Sequence, residues 1–337
     1  MKRRNFLAAA VVAAGSLCLP SVALAQEPFV MKLGTGTLND SQHEWMNTFA
    51  RILGDKSGGR IKVEVYPASQ LGASGRMIEQ TQMNLIQGVV TPPEFLAGID
   101  SRFQALAAPG LFDDLAHTQR TLDDPEFNTA FLALGADQGL MGIGLFISGP
   151  TAFASKHPWV KPEDFAGSKI RVGAADLQMA QVRALGGTPI PMPPSEVLPA
   201  LQQGTLDGVL SCIPVLEGLG YMDGAKYFIE TNHGVIASIA AISRDFYEEL
   251  PADLQPMVIE AGREATTQVY DYSLSDIEQS KKDWVAKGGE VVELTADQRK
   301  ALMEVLLPVG PQVTQGDANL NATYELLKAA IERARQG

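Results

Sequence analysis

Residues 29–65 read FVMKLGTGTLNDSQHEWMNTFARILGDKSGGRIKVEV, and the order of patterns within this stretch decides the fold. Phe29 to Leu33 is an apolar run of strand length. Ser41-Gln42-His43-Glu44 has the form of a capping box, and Trp45, Phe49, Ile52 and Leu53 follow at helical spacing, so a helix is predicted over about 42–57. Gly58-Gly59 stops it. Ile61-Lys62-Val63-Glu64-Val65 then alternates with period two, which completes a strand–helix–strand opening of the α/β class.

The same alternation continues down the chain. Met77 to Gln87 reads as the next helix, and Asp124-Pro125-Glu126 supplies an N-cap, a first-turn proline and an acid for a helix to about Ala136. Leu140 to Ile147 is an apolar strand ended by Gly149-Pro150, where the first crossover between two lobes is expected. Beyond it, Ser168 to Val172 and Leu206 to Leu210 read as strands, Asp176 to Leu185 and Ser195 to Gln203 as helices. Val235 to Ile242 carries no charge and suits a sheet covered on both faces, which assigns it back to the first lobe. From Asp253 to Lys287 the only interruptions are Pro256 and Gly262, so a helix or kinked helix pair of about thirty residues is predicted, long enough to span both lobes. Thr295-Ala296-Asp297-Gln298 is another capping box.

Upstream of this pattern, Met1-Lys2-Arg3-Arg4, an apolar run from Phe6 to Leu19 and Ala23-Leu24-Ala25 form a secretory signal, with cleavage expected after Ala25. The run is shorter than the roughly 20 residues a membrane-spanning helix needs. Arg3-Arg4 also fits a twin-arginine signal, so the export route stays open. The remaining 312 residues exceed the ~250–300 at which one core usually divides, so two lobes are expected: 26–148 with 235–275, and 149–234 with 276–337. Cleavage removes three cations and no acid, taking the charge from −12 to −15, and leaves Cys212 as the one cysteine. That balance argues against nucleic acid as a partner, which needs a basic face. An anionic ligand would need local positive charge.

Chemical signatures are sparse. His43, His117, His157 and His233 lack metal-ligand spacing and read as surface or cap residues, so no metal or cofactor is expected. Cys212 has no base near it in sequence. The acid pairs Asp113-Asp114, Asp123-Asp124, Glu163-Asp164 and Glu248-Glu249 read mainly as helix-terminal groups rather than catalysts. The positive signal is Lys169-Ile170-Arg171-Val172: alternation puts Lys169 and Arg171 on one face, and an arginine fork suits a carboxylate. By motif alone, pairing with a surface acid is the competing reading.

Several ordered blocks resolve that choice. They include 57–68 (SGGRIKVEVYPA), Gln70-Leu71-Gly72, 162–172 (PEDFAGSKIRV), 184–187 (ALGG), 196–208 (EVLPALQQGTLDG) and Ala225-Lys226-Tyr227 with His233. In this order they resemble the DctP-type solute receptors of tripartite ATP-independent periplasmic (TRAP) transporters over nearly the whole mature chain. The resemblance implies a two-lobed periplasmic-binding-protein fold with mixed sheets, crossing strands and a long helix across both lobes. It also implies a cleft closing on a small organic acid, delivery to the membrane permease subunits, no catalysis, and a periplasmic monomer. Arg171 matches the family arginine that holds the ligand carboxylate.

The sequence departs from the family elsewhere. Pro150 or Thr151 stands where many members carry a second arginine, Val209-Leu210-Ser211-Cys212 replaces a common Gln-Glu-Asn-Pro, and Ser74 lies near the place of a common glutamate. Arg171, Thr151, Ser211, Cys212, Ser74 and Asp40 are the expected ligand-binding residues. Fewer polar groups suggest a ligand less hydroxylated than a sugar acid, because buried unpaired hydroxyls are costly. The competing functions are a periplasmic enzyme acting on an organic acid, and a receptor for an ATP-driven (ABC) importer or a sensor kinase.

Overall fold

The computed structural model describes residues 27–336; the export segment and its cleavage position lie outside the described residues. In chain order the strands are β1 (Phe29–Thr35), β2 (Ile61–Tyr66), β3 (Gly88–Thr91), β4 (Leu140–Pro150), β5 (Ala152–Ser155) and β6 (Lys169–Val172). They continue with β7 (Thr188–Pro191), β8 (Gly208–Ser211), β9 (Tyr227–Glu230), β10 (Val235–Ser243) and β11 (Glu290–Glu293). They form two mixed sheets, ordered β2-β1-β3-β10-β4 and β11-β9-β5-β8-β6-β7.

The opening stretch folds as its pattern dictates. β1 and β2 pair in parallel from Phe29↔Ile61 to Gly34↔Tyr66, joined by the helix Ser41–Lys56. That helix buries Trp45, Met46, Phe49, Ile52 and Leu53, and Trp45 stacks on Phe49 and on Phe146 of β4 with centroids 4.9 and 5.9 Å apart. Its N-cap is Asp40 rather than Ser41: Asp40 Oδ1 accepts from the His43 backbone N–H at 3.1 Å. A carboxylate there satisfies an orphan donor and meets the positive helix end.

β10 lies antiparallel between β3 and β4 with all nine residues buried, which explains its lack of charge. The chain enters the second sheet between Pro150 and Ala152 and returns between Glu230 and Val235. The two crossings are tied together: Thr151 N–H donates to Gly234 O at 2.9 Å, and the Thr231 hydroxyl oxygen lies 3.2 Å from Thr151 O. The long helix Gln255–Ala286 packs on the helix Ser41–Lys56 and β4 of the first lobe, and on the helix Ile213–Gly218 and β11 of the second.

Three boundaries differ from the sequence reading. The second helix spans Ser74–Gln82, because Asn84 adopts a left-handed φ of 54° and turns the chain towards β3. The helix Pro125–Leu132 ends at Ala133, and the chain turns away at Gly135, which is left-handed. The segment 276–337 does not stay with the second lobe. Its last helix, Ala318–Gln336, buries Tyr324, Leu327, Ala330 and Ile331 against Phe103, Phe127 and Phe131 of the first-lobe core. An apolar stripe at helical spacing finds its partner there. By contrast, Leu302 and Leu306 pack with Phe165 and Ile170 beside the second sheet.

Candidate functional site: two adjoining cavities at Arg171

In β6, Ile170 and Val172 are fully buried, Lys169 is exposed, and Arg171 is only 5% exposed. Its Nε donates to the Met192 carbonyl at 2.9 Å, and its guanidinium carbon sits 5.8 Å from the Phe95 ring centroid. Nη2 is buried with no partner. Burial pulls the Arg171 pKa below its ordinary value, opposed by the Tyr221 hydroxyl and the Glu94 carboxyl. The group nevertheless stays a cation at neutral pH.

Two small cavities of about 30 and 20 Å³ adjoin at Arg171, and share Pro92, Phe95, Ser211 and Ile236 among their walls. Their residues follow the carboxyl ends of parallel strands from both sheets: Gly36 and Thr37 after β1, Thr91 ending β3, Ser211 ending β8. Sheets of this kind place ligands there. Gly36 is at a close approach, since a Cβ on it would stand 3.1 Å from Ser74 Oγ and 3.4 Å from Pro194 Cγ.

Of the residues expected at the site, Arg171, Ser74 and Ser211 line these cavities. Thr151 belongs to the tied crossings between lobes. Asp40, fully buried, is the helix cap; its Oδ1 also accepts from Thr37 Oγ1 at 2.9 Å, and burial raises its pKa. Cys212 is fully buried in the second-lobe core, at the N-cap of the helix Ile213–Gly218. Burial, and then the Asp40 and Asp276 charges, push its thiol far above the ordinary range. That makes it a packing residue.

The structure adds residues that the sequence reading passed over. Gln42 lines the larger cavity, its Oε1 accepting from Thr35 Oγ1 at 3.0 Å while Nε2 has no partner. Glu94, 2% exposed, lines the smaller one; its Oε1 accepts from Gln178 Nε2 at 3.3 Å and its Oε2 has no partner. Burial raises the Glu94 pKa to about 7 against the lowering pull of Arg171 and Gln178. The available signal, Pro92-Pro93-Glu94, looks like any first helical turn carrying an acid.

Two histidines are core residues, not surface or cap groups. His117 is held by Asp113 N–H and Ile331 O, both at 3.1 Å. His233 bridges Thr231 Oγ1 at 2.8 Å and Gln181 Oε1 at 3.0 Å, and burial lowers its pKa to about 3, so it is neutral. Among the described residues there is no group of three or more metal-capable side chains, and no helix long and apolar enough to cross a membrane.

Comparison with known proteins agrees with this architecture. The profile described as bacterial extracellular solute-binding protein, family 7 (DctP), matches residues 34–316. The chain is 28% identical to the C4-dicarboxylate-binding periplasmic protein DctP of Rhodobacter capsulatus, covering 94% of this chain and 95% of that one. It is 26% identical to the DctP of Shewanella loihica over 78% and 79% of the two chains. The crystal structure of a TRAP periplasmic solute binding protein from Shewanella oneidensis, with bound succinate, superposes with a TM-score of 0.84 at 25% identity, over 90% of this chain and 99% of that one. The chain therefore belongs to family 7 of the bacterial extracellular solute-binding proteins.

Proposed function

We propose that this chain is the extracytoplasmic receptor of a TRAP transporter. It closes two lobes around a small organic acid and delivers that acid unchanged to the membrane permease subunits. The observation that carries the reading is Arg171: a buried cation with an unpartnered Nη2, in a cavity walled by both lobes. A fixed guanidinium in a site that excludes water holds a carboxylate far better than one in solvent. Relatives described as dicarboxylate-binding, and the succinate-bound structure, support an acid as ligand. Cleavage after Ala25 and a periplasmic, monomeric mature protein complete the reading. Nothing in the cavity pairs a nucleophile with a base, which favours a receptor over an enzyme.

The test is mass spectrometry of small molecules released from the purified protein, followed by rebinding. One equivalent of a carboxylic acid, recovered unchanged after prolonged incubation, is expected. Conversion of the acid would make the protein an enzyme, and a ligand lacking any acidic group would overturn the assignment.

A further inference from the structure

We propose that the ligand is a zwitterion, with its carboxylate on Arg171 and Gln42 and its cationic nitrogen on Glu94. This rests on Arg171 as the carboxylate site and goes further by assigning the opposite end of the ligand. Three buried side-chain atoms around the cavities have no partner: Arg171 Nη2, Gln42 Nε2 and Glu94 Oε2. The first two only donate, and the third, when ionised, only accepts. Unsatisfied buried polar atoms in such numbers at one place call for an explanation. A carboxylate alone satisfies the two donors, and it satisfies Glu94 as well only if that carboxyl takes up a proton. A molecule carrying an acceptor group at one end and a donor at the other satisfies all three.

Charge balance selects which donor. Arg171 and Glu94 share the smaller cavity without pairing with each other: Arg171 Nε goes to Met192, and Glu94 Oε1 is bonded by Gln178. With Glu94 ionised, their charges cancel. A simple monoanion seated on Arg171 would leave the buried pair with one net negative charge, and a dianion would leave two, unless Glu94 took up a proton. A hydroxy acid has the same fault, because its hydroxyl pairs with Glu94 but brings no positive charge. An amino acid or similar zwitterion keeps the site neutral, which is what a buried environment favours.

The two kinds of ligand differ in the direction of proton movement. With the Glu94 pKa raised to about 7 by burial, the empty site is partly protonated at neutral pH. An ammonium brought against Glu94 favours its ionised form and expels that proton; an added anion favours the protonated form and draws a proton in.

The experiment is calorimetry at pH 7 in two buffers of different ionisation enthalpy, using matched probes. These are β-alanine, 3-hydroxypropionate and malonate, then 4-aminobutyrate, 4-hydroxybutyrate and succinate, then alanine and lactate. For at least one set the amino compound should bind about tenfold or more tighter than its counterparts, as expected for one buried group left unpaired, and should release protons. Glu94→Gln, which keeps the side-chain shape, should erase both the preference and the proton release. Anions that bind as well as the amino compounds, no binding by any amino compound, or an unchanged ranking in Glu94→Gln would overturn the proposal. If the anions still lose affinity in Arg171→Lys, the organic-acid reading survives that failure. If carboxylates bind equally to wild type and Arg171→Ala, that reading fails too.

Discussion

Arg171 Nε and the Met192 carbonyl oxygen are joined at 2.9 Å, which fixes the guanidinium and leaves its unpartnered Nη2 for the cavity. A side chain already held in its binding geometry loses less freedom when ligand arrives. Arg171→Ala should weaken binding of the acid recovered from the protein by ~2–5 kcal/mol, roughly 30-fold to several thousandfold. Arg171→Lys should also bind poorly, because an ammonium lacks the planar fork. Calorimetry checks both; wild-type affinity in both variants, each folded, would contradict the role.

Closure also depends on a contact without side chains. A Cβ placed on Gly218, in the second lobe after β8, would collide with the carbonyl oxygen of Leu38, in the first lobe after β1. Gly218→Val should therefore disfavour the closed form alone. Overpacking of this kind costs ~1–3 kcal/mol, so affinity should fall roughly 5- to 150-fold. The melting temperature of ligand-free protein should barely move. A variant that binds like wild type would show that the lobes close without this approach.

What the sequence disclosed follows from how local each signal is. The βαβ opening, the Thr295 capping box and the helix Gln255–Ala286 were legible because periodicity and caps act within one element. Arg171 was legible because a motif surrounds it. Asp40 was misread because Ser41-Gln42-His43-Glu44 imitates a capping box one residue further on. Glu94 and Gln42 carry no sequence signal, since what distinguishes them is an unpartnered atom beside a cavity, a property made by two lobes meeting. The amphipathic stripe of the C-terminal helix does not say which core receives it, so its place against the first-lobe core is not legible in the sequence.

Asp276 on the long helix provides a pH test. Burial, and then the nearby charges of Asp40, Glu217 and Asp283, raise its pKa from 3.8 to about 7, while a hydrogen bond from Ser280 opposes the shift. Between those values the folded protein holds a proton that the unfolded chain has released, so stability should fall as pH rises from about 4 to about 7. Asp276→Asn should flatten that decline, with its largest gain at pH 8. Glu94, raised to about 7 as well, keeps some slope in the variant. Melting curves across this range that are parallel for the two proteins would contradict the assignment.

Cys212 reports on the core of the second lobe. Fully buried, with its thiol held protonated by burial, it should react with a thiol reagent only when the fold opens. Labelling in native buffer should be far slower than in urea, and mild for any ligand state. A rate typical of an exposed thiol in the native protein would place the residue elsewhere.

An acid held by Arg171 closes the lobes on this reading of the site. A ligand that contacts both lobes only when they meet must shift the population towards the closed form. Small-angle scattering of wild type and Arg171→Ala, with and without the acid released from the protein, measures this most directly. Ligand-bound wild type should have a smaller radius of gyration, and Arg171→Ala should show no change at the same concentration. An unchanged radius in wild type at saturating ligand, in a protein open when empty, would contradict that closure.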